Sequence, residues 1–202
     1  MIKAVVFDRD ATLNKTTQIL RAGQQSGDPT DGYVLAPDEL ELFPAVRPAL
    51  ALLRTWGITP FVFTQQNCIG KGLVTEAEVA AIHEHMNNLL GPAARIEKFY
   101  LAWNVQGEGE SPRAKPSPAM LHEIMADYGL KPEEMIVVGD SMRDYKSAMA
   151  AGVIFAWVRD DLRRVSEKDM QATGCPVYDD VEAFAKDLVA APHPRQAHQP
   201  QP

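Results

Sequence analysis

The sequence predicts an α/β protein with a doubly wound, three-layer α/β/α parallel sheet of the Rossmann-like kind. Short apolar runs rich in β-branched residues alternate with segments of helical spacing, a pattern typical of parallel sheets with right-handed crossovers. Polar residues follow several of the runs, at the points where the strands of such a sheet would end at one edge. The chain has 202 residues, which suits one domain with at most a small insertion.

The first half of the chain predicts two strands, a lid and a helix. Residues 2–7 form an apolar run typical of a buried strand. A polar stretch at about 16–37 is too long for a simple turn and predicts a flap or lid near the end of that strand. Helical spacing at 44–56, ended by Gly57, predicts the first helix, and residues 58–63 predict the second strand.

The second half continues the alternation. Thr75 and Glu78 have the spacing of a capping box and predict the start of a helix that runs to about Leu90. Further strands are predicted at 96–101, 135–138 and 153–158, and further helices at 118–128, 145–151 and 181–188. The Pro-, Gln- and His-rich end, 191–202, predicts a disordered tail, which leaves 1–190 as a single domain.

Composition restricts the class of function. The formal net charge is −7, which argues against a broad basic surface for nucleic acid or anionic membranes. The two cysteines, Cys68 and Cys175, are too few for a disulfide framework or a cysteine-based zinc site. The N-terminus enters a strand without a basic and apolar leader, so we expect a cytoplasmic protein. A monomer and a weak homodimer are both compatible with the sequence.

The polar residues at the predicted strand ends form a set suited to phosphoryl transfer. Carboxylates hold a hard cation such as Mg²⁺ through oxygen ligands, and a lysine and a hydroxyl orient phosphate oxygens. In a parallel sheet these groups would converge at one edge. The residues concerned are Asp8, Asp10, Thr64, Lys115, Asp140 and Asp144.

Each of these residues also has a simpler explanation. Asp140 and Asp144 can cap the helix that follows them, Thr64 can cap a loop, and Lys115 can be a solvated surface lysine. A response-regulator receiver domain also combines acids, Mg²⁺ and a lysine. Its phosphorylated aspartate follows the third strand, however, where this chain reads Leu101-Ala102-Trp103.

Four segments resemble, in order and strand context, the four motifs of the haloacid dehalogenase (HAD) superfamily. These segments are Asp8-Arg9-Asp10-Ala11-Thr12, Thr64, Lys115-Pro116 and Gly139-Asp140-Ser141-Met142-Arg143-Asp144. A closer resemblance is to the branch that holds histidinol-phosphate phosphatase and D-glycero-D-manno-heptose bisphosphate phosphatase, HAD subfamily IIIA. It is carried by Asn14, Gly32-Tyr33-Val34, Phe43-Pro44 and Gln66. The resemblance implies a HAD-like fold with a minimal cap.

The resemblance also implies roles for the strand-end residues. Asp8 would attack phosphorus and form an aspartyl-phosphate, and Asp10 would act as general acid and then general base. The phosphate would be held by Thr64, Gln65 and Lys115. The ligands of Mg²⁺ would be Asp8, the backbone carbonyl of Asp10, and Asp140, with Asp144 as a further ligand or as the residue that orients Lys115.

The chain departs from the branch at several positions. Ala11 replaces a usual glycine and Gln65 a usual asparagine. Where many members carry the cysteines and histidine of a zinc loop, this chain has Ala102, Asn104, Ser111 and Arg113, so no zinc is expected. Ala114 replaces an arginine that tends to touch the substrate, which predicts a different substrate unless Arg113 takes its place.

The sequence therefore predicts a Mg²⁺-dependent phosphomonoester hydrolase acting on a small phosphorylated metabolite, either a sugar phosphate or a compound like histidinol phosphate. A phosphatase of a macromolecular phosphate is one alternative. A pseudophosphatase that binds phosphate without turnover is another, which Ala11 and Gln65 keep open.

His83 and His85, two apart on a predicted helix, point to different faces and do not form a metal pair. Lys71 either adds positive charge near the substrate or is a plain loop residue.

Overall fold

The computed structural model describes residues 1–16, 30, 32–104, 109, 111–159 and 165–190. The strands of these parts of the chain are β1 Ala4–Phe7, β2 Thr59–Gln65, β3 Phe99–Ala102, β4 Met135–Gly139, β5 Ile154–Val158 and β6 Val177–Tyr178. The helices are α1 Val46–Thr55, α2 Asn67–Gly70, α3 Glu76–Leu90, α4 Ala119–Tyr128, α5 Met142–Ala151, α6 Glu167–Ala172 and α7 Val181–Ala190. Short 3₁₀ turns cover Pro37–Glu39, Pro92–Ala94 and Pro132–Glu134. Among these helices, none is long and apolar enough to cross a bilayer.

The six strands form one parallel sheet in the order β3-β2-β1-β4-β5-β6. The chain runs outward from β1 to β3, and α4 then returns it to β4 on the other side of β1. The direction of winding therefore reverses between β1 and β4, and a crevice forms at the carboxyl ends of strands at such a reversal. The predicted doubly wound fold is confirmed.

Two cores separate the sheet from its helical layers. Side chains alternate along β1, so Val5 and Phe7 enter one core while Ala4 and Val6 enter the other. The first core is covered by α1, α3 and α7, and the second by α4, α5 and α6. This burial of both faces explains why the strands read as nearly continuous apolar runs.

The predicted bounds of some elements differ from the observed ones for local reasons. Helix α5 begins at Met142 rather than 145, because Ser141 and Asp144 form a capping box one turn before the apolar pattern starts. Strand β3 begins at Phe99 rather than 96, because the side chain of Asn87 takes both backbone hydrogen bonds of Ile96. The short elements α2, α6 and β6 had no clear pattern and were not predicted.

The predicted lid at about 16–37 falls largely outside the described residues, as does the predicted tail at 191–202. Of the lid's C-terminal end, Val34 is buried in the first core. Tyr33 and Leu35 pack against a small apolar cluster that contains Cys68 and Val79. The lid, the tail and the single domain at 1–190 remain predictions.

Ala11 lies in the left-handed region of the backbone, with a φ of 62°. An L-residue there costs about 1–2 kcal/mol, whereas glycine avoids this cost but loses about 0.4–1 kcal/mol through the entropy of the unfolded chain. We therefore expect Ala11→Gly to raise the free energy of unfolding by up to about 1 kcal/mol, measured by urea denaturation. Ala150→Gly, at an exposed position of α5, should instead lower it by about 0.5–1 kcal/mol. Equal losses at both positions would contradict the strain at Ala11.

Candidate active site

Three carboxylates converge at the crevice between β1 and β4. Asp8 follows β1, Asp140 follows β4, and Asp144 lies in the first turn of α5. One oxygen of each lies within 4.8 Å of the others. Asp140 and Asp144 are buried. A cluster of hard oxygen donors of this size fits a cation such as Mg²⁺.

Lys115 lies against this cluster. Its Nζ donates to Oδ1 of Asp8 at 2.7 Å and to Oδ1 of Asp144 at 2.5 Å, and it is 3.7 Å from the ring centroid of Phe63. Burial opposes the charge of Lys115, but the two carboxylates raise its pKa above the ordinary value. Burial also raises the pKa of Asp8 to about 6, even though Lys115 opposes the shift. Lys115 is therefore a charged, buried counter-ion of the acids.

The two oxygens of Asp144 have different partners. Oδ1 accepts from Lys115, while Oδ2 accepts from Oγ of Ser141 at 2.6 Å and from its backbone N–H at 3.1 Å. Ser141 is thus the N-cap of α5, and Asp144 completes the capping box. Oδ1 of Asp140 accepts a hydrogen bond from Oγ1 of Thr12 at 3.2 Å. The predicted capping role of Asp144 is therefore present, and it coexists with the contact to Lys115.

Gly139 leaves room for Asp144. A Cβ added at Gly139 would meet Oδ2 of Asp144 at 2.7 Å and its Cβ at 2.8 Å. Since the Asp144 Cβ is fixed to the backbone, we expect Gly139→Ala to displace the carboxylate and, if the predicted phosphatase activity is present, to lower phosphate release about 100-fold. Overpacking should also cost about 1–3 kcal/mol of stability. The measurements are phosphate release and thermal unfolding.

Gly174→Ala is the matched control for Gly139→Ala. Gly174 has a φ of 70° and no neighbour within 4 Å of an added Cβ. This substitution should strain the backbone and lower the melting temperature without changing turnover by the folded protein. Wild-type activity in Gly139→Ala would show that the close approach is not needed.

The carboxylate of Asp10 is held by a separate set of donors. Oδ1 accepts from Nη2 of Arg9 at 2.9 Å and from Nδ2 of Asn14 at 3.0 Å, and Oδ2 accepts from Nε2 of Gln66 at 2.6 Å. Burial opposes the charge of Asp10, but Arg9 and these hydrogen bonds outweigh it and hold its pKa below the ordinary value. Asp10 is therefore ionised in this arrangement.

Gln66 links the end of β2 to Asp10. Its Nε2 also donates to Oγ1 of Thr64 at 2.8 Å, and both residues are buried. The side chain of Gln65 instead donates to Oδ1 of Asn67 at 3.1 Å. Thr64 and Gln66 are two residues apart and share a side of the chain, a strand alternation that the sequence already contained. In the sequence Gln66 carries only the family resemblance, and its contact with Asp10 is visible only in the fold.

Two further residues, Arg9 and His83, were not predicted from the sequence to belong to the site. Arg9 is fully buried, and its Nη1 lies 3.3 Å from Nε2 of His83 on α3. The ring of His83 stacks on Phe99 with centroids 4.2 Å apart and planes 8° from parallel. Burial and the charge of Arg9 lower the pKa of His83 to about 3. His85 is only half-buried, so the two histidines differ in their surroundings.

Two basic residues considered for the substrate have other partners. Arg113 donates from Nε and Nη2 to the carboxylate of Glu123, each at 2.8 Å. Ala114, where the branch has an arginine, is buried, and the replacement of that arginine by Arg113 remains a prediction. Lys71 is exposed and lies 4.9 Å from the ring centroid of Tyr33.

In the loop between β3 and α4, a hydrogen bond joins two of the positions at which many members of the branch carry zinc ligands. The backbone N–H of Ser111 donates to Oδ1 of Asn104 at 2.8 Å, and that of Asn104 donates to Oδ1 of Asn67 at 3.0 Å. Residues 105–108 and 110 of the loop lie outside the described part of the chain. The described donors at these positions are amide and hydroxyl groups, which are not the thiolate or imidazole ligands that zinc prefers.

An acid beside a buried lysine, with two further acids at the switch point of a doubly wound sheet, is a set of groups suited to phosphoryl transfer. A family described as haloacid dehalogenase-like hydrolase matches residues 15–152. That match covers more than half of the chain, and the protein belongs to the haloacid dehalogenase-like hydrolases.

Individual relatives are similar over most of the chain. The D-glycero-β-D-manno-heptose-1,7-bisphosphate 7-phosphatase of Bordetella bronchiseptica is 26% identical over 191 residues, which cover 93% of this chain and 98% of the relative. The enzyme of the same name from Pseudomonas putida is 27% identical over 190 residues, 93% of this chain and 100% of the relative. These relatives confirm the predicted phosphatase of the HAD type and the resemblance to subfamily IIIA.

Solved structures agree with this assignment. A crystal structure of D,D-heptose 1,7-bisphosphate phosphatase from B. bronchiseptica, complexed with magnesium and phosphate, superposes with a TM-score of 0.75 at 25% identity. The superposition covers 93% of this chain and 98% of that one. The corresponding structure from Burkholderia thailandensis gives a TM-score of 0.62 at 26% identity, covering 93% and 99% of the two chains.

Proposed function

We propose that this protein is a Mg²⁺-dependent phosphomonoester hydrolase that works through an aspartyl-phosphate on a small sugar phosphate. The observation that carries the proposal is the buried Lys115 ammonium between Asp8 and Asp144, with Asp140 beside them. The relatives named above act on a heptose bisphosphate, which makes that compound the first candidate substrate. Histidinol phosphate is the second, by the resemblance to its branch.

Asp8 is the proposed nucleophile. Lys115 and the backbone N–H of Arg9 both donate to its Oδ1, each at 2.7 Å, which fixes the carboxylate. An oxygen of Asp8 attacks phosphorus, and the bond from phosphorus to the sugar oxygen breaks as the aspartyl-phosphate forms. Water then attacks the aspartyl-phosphate, which releases phosphate and restores Asp8. Lys115 and Thr64 are the proposed partners of the phosphate oxygens; Gln65 remains a prediction.

Asp10 is the proposed general acid and base. The leaving sugar oxygen needs a proton, and the attacking water must lose one. Asp10 is ionised while Arg9 and Gln66 hold it, which suits removal of a proton from water. The negative charge of a bound phosphate raises the pKa of a nearby carboxyl group, so substrate binding favours the protonated form that the first step needs.

Asp8, Asp140 and Asp144 would hold Mg²⁺, because their oxygens form the described acid cluster. The backbone carbonyl of Asp10 remains a predicted fourth ligand. A bound Mg²⁺ would neutralise charge on the phosphate and polarise it. A crystal structure of the B. bronchiseptica relative holds magnesium and phosphate, which supports this cofactor. The hydrogen-bonded loop at Asn104 and Ser111 supports the prediction that no zinc is needed.

A substrate panel tests the proposal. Phosphate release would be measured from heptose and other sugar phosphates, histidinol phosphate, nucleotides and p-nitrophenyl phosphate, with Mg²⁺ and with EDTA. We expect Mg²⁺-dependent release, fastest from a sugar phosphate. A folded protein that binds Mg²⁺ and releases phosphate from none of them would contradict the proposal and favour a macromolecular phosphate or a pseudophosphatase.

Protons and Mg²⁺ should compete for Asp8. Its pKa lies at about 6, so the carboxyl is protonated below that pH and must lose its proton to become a ligand. We expect the apparent affinity for Mg²⁺ to weaken about tenfold for each pH unit below 6 and to level off above it. Calorimetric titration with Mg²⁺ from pH 5 to 8 measures this dependence. An affinity that does not change between pH 5 and 7 would contradict it.

A further inference from the structure

We propose that His83 is a positioning residue, which orients the carboxylate of Asp10 by fixing the guanidinium of Arg9. The role given to Asp10 as general acid rests on the proposed function. The contact between Arg9 and His83 is a feature of the fold, and it can be tested without any turnover.

The donors of Arg9 are divided between two partners. Nη2 donates to Oδ1 and Oδ2 of Asp10 at 2.9 and 3.1 Å, and Nε lies 3.3 Å from Oδ1. Nη1 lies 3.3 Å from Nε2 of His83. Arg9 is fully buried, so an N–H group that lost its acceptor would have no water to replace it. Asp10 and His83 together therefore fix the plane of the guanidinium.

The chemistry of arginine fixes the state of the His83 ring. A guanidinium only donates hydrogen bonds, so Nε2 of His83 must accept. The ring is therefore neutral and carries its hydrogen on Nδ1. Stacking on Phe99 holds the plane of the ring. The acceptor for Arg9 is thus placed by α3 and β3, two elements remote in sequence from the loop that bears Asp10.

This arrangement predicts which reaction step depends on His83. Asp8 accepts from Nζ of Lys115 and from the backbone N–H of Arg9, rather than from the guanidinium that His83 contacts, so attack on phosphorus should keep its geometry without His83. Without His83, the guanidinium of Arg9 would no longer hold the carboxylate of Asp10 in one orientation. Both proton transfers of Asp10, to the leaving group and from the attacking water, should suffer, and phosphate binding should not; kcat/KM reports the first transfer, because it covers the steps up to formation of the aspartyl-phosphate.

Two kinds of leaving group separate these effects. The p-nitrophenolate ion leaves without a proton, whereas a sugar alkoxide needs the general acid. We would compare kcat/KM for p-nitrophenyl phosphate and for the sugar phosphate that the wild type hydrolyses fastest. For His83→Leu we expect a loss of about tenfold or more on the sugar phosphate, carried by kcat with KM nearly unchanged, and a loss under about twofold on the aryl ester.

Two further variants complete the experiment. His83→Gln offers an amide oxygen as acceptor and should recover most of the lost activity. His85→Leu, on the same helix but without the contact to Arg9, should behave as the wild type. Equal losses on both esters in His83→Leu, without recovery in His83→Gln, would show that His83 only stabilises the fold.

A nuclear magnetic resonance measurement tests the contact itself. Imidazole ¹⁵N shifts of the wild type should show His83 as a neutral ring protonated on Nδ1 at pH 7. A ring protonated on Nε2, or a charged ring, would overturn the proposal whatever the activity. Failure of the proposed function would appear differently, as turnover that survives Asp8→Asn or as none in the wild type, with the ¹⁵N result unchanged.

Discussion

Asp8→Asn is expected to lower phosphate release at least about a thousandfold, because the amide keeps the shape of the side chain but is not a nucleophile. The same substitution should not unfold the protein. Burial raises the pKa of Asp8 from 3.8 to about 6 in the folded state. Ionisation of Asp8 therefore lowers the free energy of unfolding as the pH rises through that range. At pH 7 and without Mg²⁺, the neutral asparagine should give a melting temperature equal to or above that of the wild type.

The control is Asp38→Asn, which removes the charge of an exposed aspartate on the 3₁₀ turn Pro37–Glu39. It should keep wild-type turnover. Phosphate release by Asp8→Asn within about tenfold of the wild type would contradict the role of Asp8. A large loss of melting temperature would contradict the sign of its raised pKa. Thermal unfolding and phosphate release on the same preparations decide both points.

Lys115→Met is expected to cost both activity and stability. The buried ammonium neutralises Asp8 and Asp144, and removing one partner of a buried ion pair costs about 3–5 kcal/mol because a charge is left uncompensated. Phosphate binding should be lost with the same substitution. Urea denaturation at pH 7 in EDTA measures the stability, and phosphate release in Mg²⁺ measures the activity.

Lys98→Met is the matched control, because Lys98 forms an exposed ion pair with Asp127. It should cost less than about 1 kcal/mol. Lys115 lowers the pKa of Asp8, so that pKa lies above 6 in Lys115→Met, and the stability loss should shrink as the pH falls toward 6 and level off below it. If Lys115→Met lost no more stability than Lys98→Met at every pH tested, Lys115 would not be the counter-ion of the acids.

Most of the fold could be predicted because its signals are local. The apolar runs at β1 and β4 and the capping box at Thr75 and Glu78 are patterns within a few residues, and the structure contains each of them. The two short elements α6 and β6, near the C-terminal end of the domain, were not predicted. Strand β6 has two residues and α6 has six, which is too short for a periodic pattern to emerge.

Sequence by itself determined which polar residues reach the site. Asp8, Thr64 and Asp140 each follow a predicted strand, and a parallel sheet brings all such ends to one edge whatever the details of packing. The resemblance to HAD motifs rests on the same residues, so it reinforced this conclusion and also supplied the proposed roles.

Only the tertiary structure decided which groups pair. Lys115 meets Asp8 across 107 positions of sequence, and Arg9 meets His83 across 74. Gln66, rather than Gln65, reaches Asp10. Such contacts depend on how helices and loops pack onto the sheet, because a shift of a few ångströms in this packing changes which donor faces which acceptor. Strand periodicity places a residue at an edge, whereas its hydrogen-bond partner is fixed by packing between segments remote in sequence.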